Sequence, residues 1–408
     1  MSCFVIEGGT PLYGDVTVSG SKNAALPVIF ATIITRGVST LTSVPDIGDV
    51  KVALSILSDL GAVVSRSGST VTVDTTSLEY SRPDPLSAAS LRASTYLIGS
   101  CLSRFGRVDL VPFGGCNFSH RPIDMHISAA TSFGAEMGDG CLIMKNAAPS
   151  RIHLRLPSVG ATVNALLMAA SVNEESIITG AAREPHLKVL TDFLCSAGAR
   201  IRYEGQDRII VQGGRLGGGK VRIPGDMIEG GTYLSLSILT GGRVRVLGLE
   251  REELNSFFLP FLCSGASVVW ESGAVVLEGS LHRGVDVVTA PYPGFPTDLQ
   301  PIAAPLLAKF FGGSIRDTVW QSRYGYLTTL SSLGVEHSIS DGCARILPST
   351  IRRGMVSAPD LRGGAAAMLL ALCAEGESRI DRAEVILRGY ENPCEKLRAL
   401  GAVITKID

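Results

Sequence analysis

A loop rich in glycine brings a cysteine close to basic side chains, and its residue types could do chemistry directly. Two glycines precede Cys116, and His120 and Arg121 follow it within the stretch 112–126. Nearby positive charge favours the thiolate of a cysteine, which is its reactive form. Cys116 is therefore a candidate reactive thiol, although a structural turn with an incidental cysteine explains the same residues.

A metal centre is the weaker interpretation of this loop. Cys116, His120 and His126 are all potential ligands, but no second pair of ligands stands at the spacing that zinc sites use. We therefore predict that the protein uses no metal.

Charged residues also stand where apolar helices are predicted to begin. Lys22, Arg92 and Arg362 occupy three of these positions, and Asp298 occupies a fourth. Cations at a helix N-terminus oppose the local dipole, whereas the unpaired N–H groups there suit an anion. Any one of these cations would more often face solvent, and Asp298 alone would more often cap its helix. Their recurrence favours an anionic ligand, with Asp298 as a candidate general base.

The elements that position these residues follow a pattern that occurs six times. Its marker is a glycine at a helix end, and successive markers are 64 to 73 residues apart: Gly61, Gly134, Gly198, Gly265, Gly334 and Gly401. A strand, a turn and a second strand follow the first five markers, but only one strand, 402–407, follows the sixth. The missing strand is predicted to be 4–8, so that the two termini pair.

Each repeat also opens with an apolar helix rich in small residues, which is typical of a buried helix. These helices are predicted to start near 22–24, 91–93, 159–161, 231–233, 297–299 and 361–363. A more amphipathic second helix, such as 49–60 or 324–333, ends at the glycine. The sequence thus predicts an α/β fold of two three-repeat domains, because 408 residues exceed a single core. The domains are expected at 22–225 and at 1–21 with 226–408.

The composition narrows the classes of function. Apolar residues make up 45% of the chain and the formal net charge is −1, so no general attraction to nucleic acid or membrane is expected. No apolar run approaches the roughly 20 residues of a membrane span, and we identify no signal peptide. Nine scattered cysteines without a C-x-x-C pair indicate a reduced, cytoplasmic protein. The oligomeric state is left open.

The chain resembles the enolpyruvyl transferases over essentially its whole length. The matching blocks, in family order, are 8–9, 19–27, 91–94, 114–116, 121–126, 158–162, 182–185, 295–300, 360–362 and 388–391. The resemblance implies two inside-out α/β domains, each of three βαβαββ-type repeats, joined by two crossings of the chain. It also implies transfer of the enolpyruvyl group of phosphoenolpyruvate to a hydroxyl of UDP-N-acetylglucosamine, through a tetrahedral intermediate and with loss of phosphate. No cofactor is implied.

The same resemblance assigns roles to individual residues. Cys116 is expected to act in proton delivery to the methylene carbon, and Asp298 to take the proton of the attacking hydroxyl. The cations expected around phosphoenolpyruvate are Lys22, Arg92, Arg121, Arg323, Arg362 and Arg398, with Lys22 and Arg398 also assisting catalysis. The residues expected to contact the nucleotide or its sugar are Asn23, Arg121, Pro122, Asp124, Met125, Ser158, Val159, Gly160, Asp298 and Val319.

Three departures from the family pattern leave the acceptor open. The loop after Cys116 reads Asn-Phe-Ser-His where the family has x-Ile-Gly-x, and Gln321 replaces a glutamate near the arginine cluster. His186 also replaces a glutamate. A paralogue that acts on another uridine nucleotide, such as UMP, is therefore an alternative. A catalytically inactive nucleotide-binding paralogue is a further alternative, which the presence of Lys22, Cys116, Asp298 and Arg398 disfavours.

Overall fold

The structure is a computed structural model that describes residues 2–114 and 121–408. Its α-helices are α1 (Lys22–Ala31), α2 (Gly48–Asp59), α3 (Pro85–Ser90), α4 (Leu97–Phe105), α5 (Asp124–Ser132), α6 (Val159–Ala169), α7 (Pro185–Ser196), α8 (Met227–Thr240), α9 (Asn255–Leu262), α10 (Gln300–Lys309), α11 (Tyr326–Ser331), α12 (Leu361–Cys373), α13 (Ala383–Ile386) and α14 (Pro393–Ala399). Short 3₁₀ turns cover Thr32–Ile34, Arg92–Tyr96 and Arg251–Glu253.

The strands are short and alternate with these helices. They are β1 (Cys3–Gly8), β2 (Tyr13–Thr17), β3 (Val38–Thr42), β4 (Val63–Ser67), β5 (Thr70–Asp74), β6 (Arg107–Asp109), β7 (Glu136–Met137), β8 (Cys141–Ile143), β9 (Arg151–His153), β10 (Ser176–Thr179), β11 (Arg200–Glu204), β12 (Arg208–Gln212), β13 (Lys220–Arg222), β14 (Arg243–Leu247), β15 (Ala266–Glu271), β16 (Ala274–Gly279), β17 (Val285–Thr289), β18 (Gly313–Asp317), β19 (His337–Ser340), β20 (Cys343–Ile346), β21 (Met355–Ser357), β22 (Gly376–Asp381) and β23 (Val403–Ile407).

The described strands form six small sheets, one for each glycine marker. Their strand orders are β13-β3-β5-β4, β6-β8-β7, β11-β12-β10-β9, β15-β16-β14-β2, β17-β18-β20-β19 and β21-β22-β1-β23. The chain divides into two compact units, residues 20–114 with 121–223 and residues 2–19 with 224–408, and each contains three of these sheets. Both division points lie two residues before the predicted domain boundaries.

The two chain ends meet in one sheet. Strand β1 lies between β22 and β23 and runs antiparallel to both, with Cys3 opposite Ile407 and Glu7 opposite Val403. Phe4 and Ile6, which belong to β1, are fully buried. The sixth repeat therefore takes a strand from the N-terminus, as the sequence pattern predicts.

The six marker glycines share one backbone conformation. Their φ angles lie between 93° and 117°, in the left-handed region that a glycine enters most easily. After Gly61, Gly334 and Gly401, the next residue donates its N–H to a carbonyl five positions back, which closes the helix end. The predicted glycine C-caps are confirmed.

The apolar helices are buried as predicted, but some of their starts differ. Helix α8 begins at Met227, earlier than predicted, because the Asp226 carboxylate accepts from the N–H groups of Ile228 and Glu229 at 2.8 and 3.1 Å. Arg92 opens a 3₁₀ turn, and the α-helix follows only from Leu97. The second helix predicted over 324–333 is shorter, Tyr326–Ser331.

Two of the marker glycines provide a matched test of the helix ends. A Cβ at Gly334 would lie 2.2 Å from the carbonyl oxygen of Thr350, whereas a Cβ at Gly401 would meet nothing within 4 Å. Gly401→Ala should cost about 1 kcal/mol, the strain of a left-handed alanine. Gly334→Ala should cost roughly 2 kcal/mol more, because the backbone near Thr350 must move. Urea unfolding of both variants measures this difference, and equal losses would contradict it.

Candidate active site

A carboxylate between two buried arginines forms the central cluster of the unit that contains residues 224–408. Oδ1 of Asp298 lies 2.9 Å from Nη1 of Arg323, and Oδ2 lies 3.2 Å from Nη2 of Arg362. The side chains of Arg323 and Arg362 are 4% and 2% exposed, whereas that of Asp298 is 30% exposed. The cluster therefore keeps its carboxylate accessible and its cations shielded.

Local structure fixes each member of this cluster. Asp360 caps α12 by accepting from the N–H groups of Arg362 and Gly363 at 2.9 and 3.0 Å, which places Arg362 in the first turn. Arg323 donates from Nη1 to the carbonyl and hydroxyl oxygens of Thr297 at 2.9 and 3.1 Å. Helix α10 begins only at Gln300, so Asp298 lies just before the helix, and from this position its side chain contacts both arginines.

Arg362 is suited to binding an anion. Burial opposes its charge, but the negative charge of Asp298 and the neighbouring Tyr390 and Asp226 outweigh burial and raise the pKa of Arg362. Its guanidinium lies 5.5 Å from the ring centre of Tyr390. Among the described residues, its Nε and Nη1 have no hydrogen-bond partner. A planar group with spare donors is able to bind a carboxylate or phosphate through two hydrogen bonds.

The unit that contains residues 121–223 holds a second group of predicted cations. Nζ of Lys22, at the start of α1, lies 2.7 Å from Oδ2 of the buried Asp49 on α2. Arg92 donates from Nη2 to the carbonyl of Arg121 at 2.8 Å. Burial, followed by the charge of Arg121, lowers the pKa of Arg92 to about 10. Two cations from different segments therefore meet through this hydrogen bond, which suits the binding of an anion.

The two segments predicted to contact the nucleotide also meet in this unit. His126 of α5 packs on the first turn of α6, where a Cβ at Gly160 would lie 2.5 Å from its Nε2. Ser158 caps α6 by accepting from the N–H of Ala161 at 3.3 Å, and Asp124 forms an ion pair with Arg155. Asn164 donates to the carbonyls of Thr95 and Gly160, so the turn that carries Arg92 is tied to α6. Pro122, Met125 and Val159 lie on the same two segments, whereas Asn23 lies in the first turn of α1 beside Lys22.

Arg398 is a further cation predicted to bind phosphoenolpyruvate. It lies near the end of α14, and its Nε donates to the carbonyl of Ile404 on β23 at 2.8 Å. A Cβ at Gly389 would lie 2.7 Å from Leu361, so the segment 388–390 packs directly on the start of α12. Arg388 directly precedes Gly389, so its backbone lies beside the first turn of α12, which carries Arg362. The matching block 388–391 was the available signal for it.

Val319, a predicted sugar contact, belongs to the same unit as the central cluster. Val319 lies in the loop after β18, where its N–H donates to Oδ1 of Asp317 at 2.9 Å. Cys116 and His120 lie outside the described residues. Within the described ranges, no group of three or more His, Cys, Asp or Glu side chains could hold a metal ion. No helix of those ranges is both long and apolar enough for a membrane span.

His126 gives the fold a defined response to acid. Burial and, second, the charge of Arg92 lower the pKa of His126 from 6.5 to about 4. His126 is therefore protonated at a higher pH in the unfolded chain than in the folded protein. The free energy of unfolding should fall as the pH drops from 6.5 towards 4. Across that pH range, the free energy of unfolding of the His126→Gln variant should fall by roughly 3 kcal/mol less than that of the unchanged protein. Unfolding free energies at several pH values measure the effect.

The exposed His153 supplies the control for this experiment. His153→Gln makes the same replacement at an exposed position of β9 and so controls for the substitution itself. A His126→Gln variant with the unchanged acid dependence would contradict the assignment.

Comparisons with known proteins agree with this arrangement. Residues 6–397 match the family model described as EPSP synthase (3-phosphoshikimate 1-carboxyvinyltransferase). Proteins named UDP-N-acetylglucosamine 1-carboxyvinyltransferase from Halothermothrix orenii and Streptococcus pneumoniae are 39% and 38% identical, over 100% of each chain. The solved structure of the enolpyruvyl transferase NikO from Streptomyces tendae matches with a TM-score of 0.87 and 25% identity, over 100% of this chain and 99% of NikO.

A more distant structure shows the fold alone. EPSP synthase from Acinetobacter baumannii matches with a TM-score of 0.72 and 17% identity, over the full length of both chains. The predicted two-domain α/β class is confirmed by these likenesses. The chain belongs to the EPSP synthase family of enolpyruvyl (1-carboxyvinyl) transferases.

Proposed function

We propose that this protein transfers the enolpyruvyl group of phosphoenolpyruvate to a hydroxyl of UDP-N-acetylglucosamine and releases phosphate. The observation that carries the proposal is the identity of 37–39% over the full chain with several enzymes named for that reaction. The arginine and aspartate cluster supplies the chemistry that such a reaction needs. The two compact units are proposed to be the two domains of the family fold.

Phosphoenolpyruvate carries a carboxylate and a phosphate close together, so its site must supply several cations. We assign this role to the cations that the family resemblance indicates, which are Lys22, Arg92, Arg121, Arg323, Arg362 and Arg398. Arginine suits the task because it stays charged and binds planar anions through two donors. As phosphate leaves, these cations stabilise the negative charge that develops on its oxygens.

Asp298 is proposed to accept the proton of the attacking hydroxyl. Its carboxylate is 30% exposed and is held by two arginines, so its position is fixed while an oxygen stays within reach of a substrate. The hydroxyl oxygen bonds to C2 of phosphoenolpyruvate as C3 takes a proton, which gives a tetrahedral intermediate. Loss of a proton from C3 and of phosphate from C2 then restores the double bond. Cys116, outside the described residues, is proposed as the proton donor to C3.

The nucleotide is proposed to bind at the first turns of α5 and α6. Pro122, Asp124 and Met125 begin α5, and Ser158 to Gly160 begin α6, which the His126 contact brings together. A helix N-terminus presents unpaired N–H groups and so suits the phosphates of a nucleotide. Asn23 and Val319 are proposed to contact the acceptor sugar.

A different uridine nucleotide, such as UMP, is the second candidate acceptor. Gln321 stands where the family pattern has a carboxylate, only two residues before Arg323, and this changes the charge beside the cluster. The structural similarity to the enolpyruvyl transferase NikO, with a TM-score of 0.87, supports a test of a second acceptor.

Phosphate release from phosphoenolpyruvate tests the proposal. Purified protein receives UDP-N-acetylglucosamine or UMP in separate reactions, with Cys116→Ser as the loop control. Turnover with the UDP-sugar supports the first acceptor, and turnover with UMP alone supports the second. Absence of turnover with both would overturn both assignments.

Replacement of the proposed base separates catalysis from binding. Asp298→Asn should lower kcat by about 10² to 10⁴-fold, because an amide cannot accept the hydroxyl proton. Asp286→Asn, on the exposed face of β17, should keep kcat within about twofold, as surface changes usually do. Steady-state kinetics with both substrates measure this, and an unchanged kcat in Asp298→Asn would contradict the role of Asp298.

A further inference from the structure

A buried aspartate outside the predicted site ends the strand next to the central cluster. Asp317 is the last residue of β18, and it lies beside Thr289, the last residue of the parallel strand β17. Its side chain is 1% exposed, yet it forms no ion pair with any described residue. A buried carboxylate without a cation is stabilised by the hydrogen bonds that it accepts.

The four hydrogen bonds of Asp317 join three segments. Oδ1 accepts from the hydroxyl of Thr289 at 2.8 Å and from the N–H groups of Val319 and Trp320 at 2.9 and 2.8 Å. Oδ2 accepts from the hydroxyl of Thr297 at 2.6 Å. One side chain therefore fixes the loop after β18 and the turn before α10 relative to the end of β17.

This network continues into the cluster through Thr297. Because the Thr297 hydroxyl gives its single hydrogen to Asp317, its oxygen is left as an acceptor for Nη1 of Arg323 at 3.1 Å. The same Nη1 contacts Oδ1 of Asp298 at 2.9 Å. Asp317 thus determines the direction in which Thr297 holds Arg323, and Arg323 in turn holds Asp298.

We propose that Asp317 is a positioning residue for the transfer reaction. It aligns the Asp298 carboxylate through Thr297 and Arg323, and it fixes the position of Val319 by accepting a hydrogen bond from the Val319 N–H. The proposal rests on the role of Asp298 in the proposed function. The Asp298 carboxylate and the loop that carries Val319 are thereby held in a fixed position relative to each other. A carboxylate is required because it offers acceptors on both oxygens, whereas an amide offers only one.

The alternative is that Asp317 only stabilises the fold of the loop. A purely structural role would lower the melting temperature and the amount of folded enzyme, but it would leave kcat per folded molecule unchanged. A positioning role lowers kcat in protein that is folded, and it depends on the Thr297 hydroxyl in particular.

The test uses Asp317→Asn, Thr297→Val, Thr297→Ser and the double variant Asp317→Asn with Thr297→Val. We expect kcat to fall by about 10 to 100-fold in Asp317→Asn and Thr297→Val, the range seen when groups that orient reactive ligands are removed. Thr297→Ser keeps the hydroxyl and should stay within about threefold of the unchanged protein. The double variant should be little slower than the slower single variant, because both changes break one network.

A matched control and a structural readout complete the experiment. Asp286→Asn removes an aspartate of the same sheet that accepts from Ser314 at 2.6 Å, away from the cluster, and should leave kcat unchanged. Crystal structures of Asp317→Asn and Thr297→Val should show the Asp298 carboxylate displaced from its 3.2 Å contact with Arg362. This second readout needs no turnover, so it separates failure of this inference from failure of the proposed function.

Three results would overturn the proposal. The first is an unchanged kcat in folded Asp317→Asn, and the second is a loss of kcat in Thr297→Ser as large as that in Thr297→Val. The third is an Asp298 carboxylate that has not moved in either crystal structure, and any one of the three is sufficient. If UDP-N-acetylglucosamine gives no turnover, the kinetic series is run with UMP, and the crystal structures decide if neither acceptor reacts.

Discussion

The balance of charge around Asp298 is the constraint on which the candidate site depends. Arg323 and Arg362 are almost fully buried, and a buried cation is costly unless an anion and hydrogen bonds compensate it. Asp298 supplies that anion for both. The same pairing leaves Nε and Nη1 of Arg362 without a hydrogen-bond partner among the described residues. Arg362 is therefore able to bind a negatively charged group of a substrate as well.

The repeated architecture explains why cations are found at helix starts. Among the described elements, five of the buried helices follow a strand, whereas α4 follows α3 and a 3₁₀ turn, and the glycine C-cap of the second helix returns the chain to a strand. Apolar helices of this kind leave few places for charge except at their ends. Lys22 and Arg362 occupy such ends, Arg92 opens the 3₁₀ turn before α4, and each has an acidic or carbonyl partner that holds it in place.

Much of this was visible in the sequence because it depends on local rules. The six glycines, their spacing and the strand-like residues 4–8 predicted the helix ends and the pairing of β1 with β23. The family resemblance also assigned Asp298, Arg323 and Arg362 to the active site, and in the structure Asp298 contacts both arginines. The start of α8 was missed because the capping carboxylate of Asp226 outweighs the small-residue pattern that follows it.

The amino-acid sequence by itself determined the repeat, the buried character of its opening helices and the family to which the chain belongs, since periodicity and motif order are properties of the chain. Only the tertiary structure decided which arginines meet. It directs Arg398 to the carbonyl of Ile404 and brings the segment of Arg388 against α12. It also showed Asp317, which no motif marks, at the centre of a hydrogen-bond network between residues 20 to 28 positions apart in the chain. Contacts of this kind depend on packing between distant segments, and spacing in the sequence does not report them.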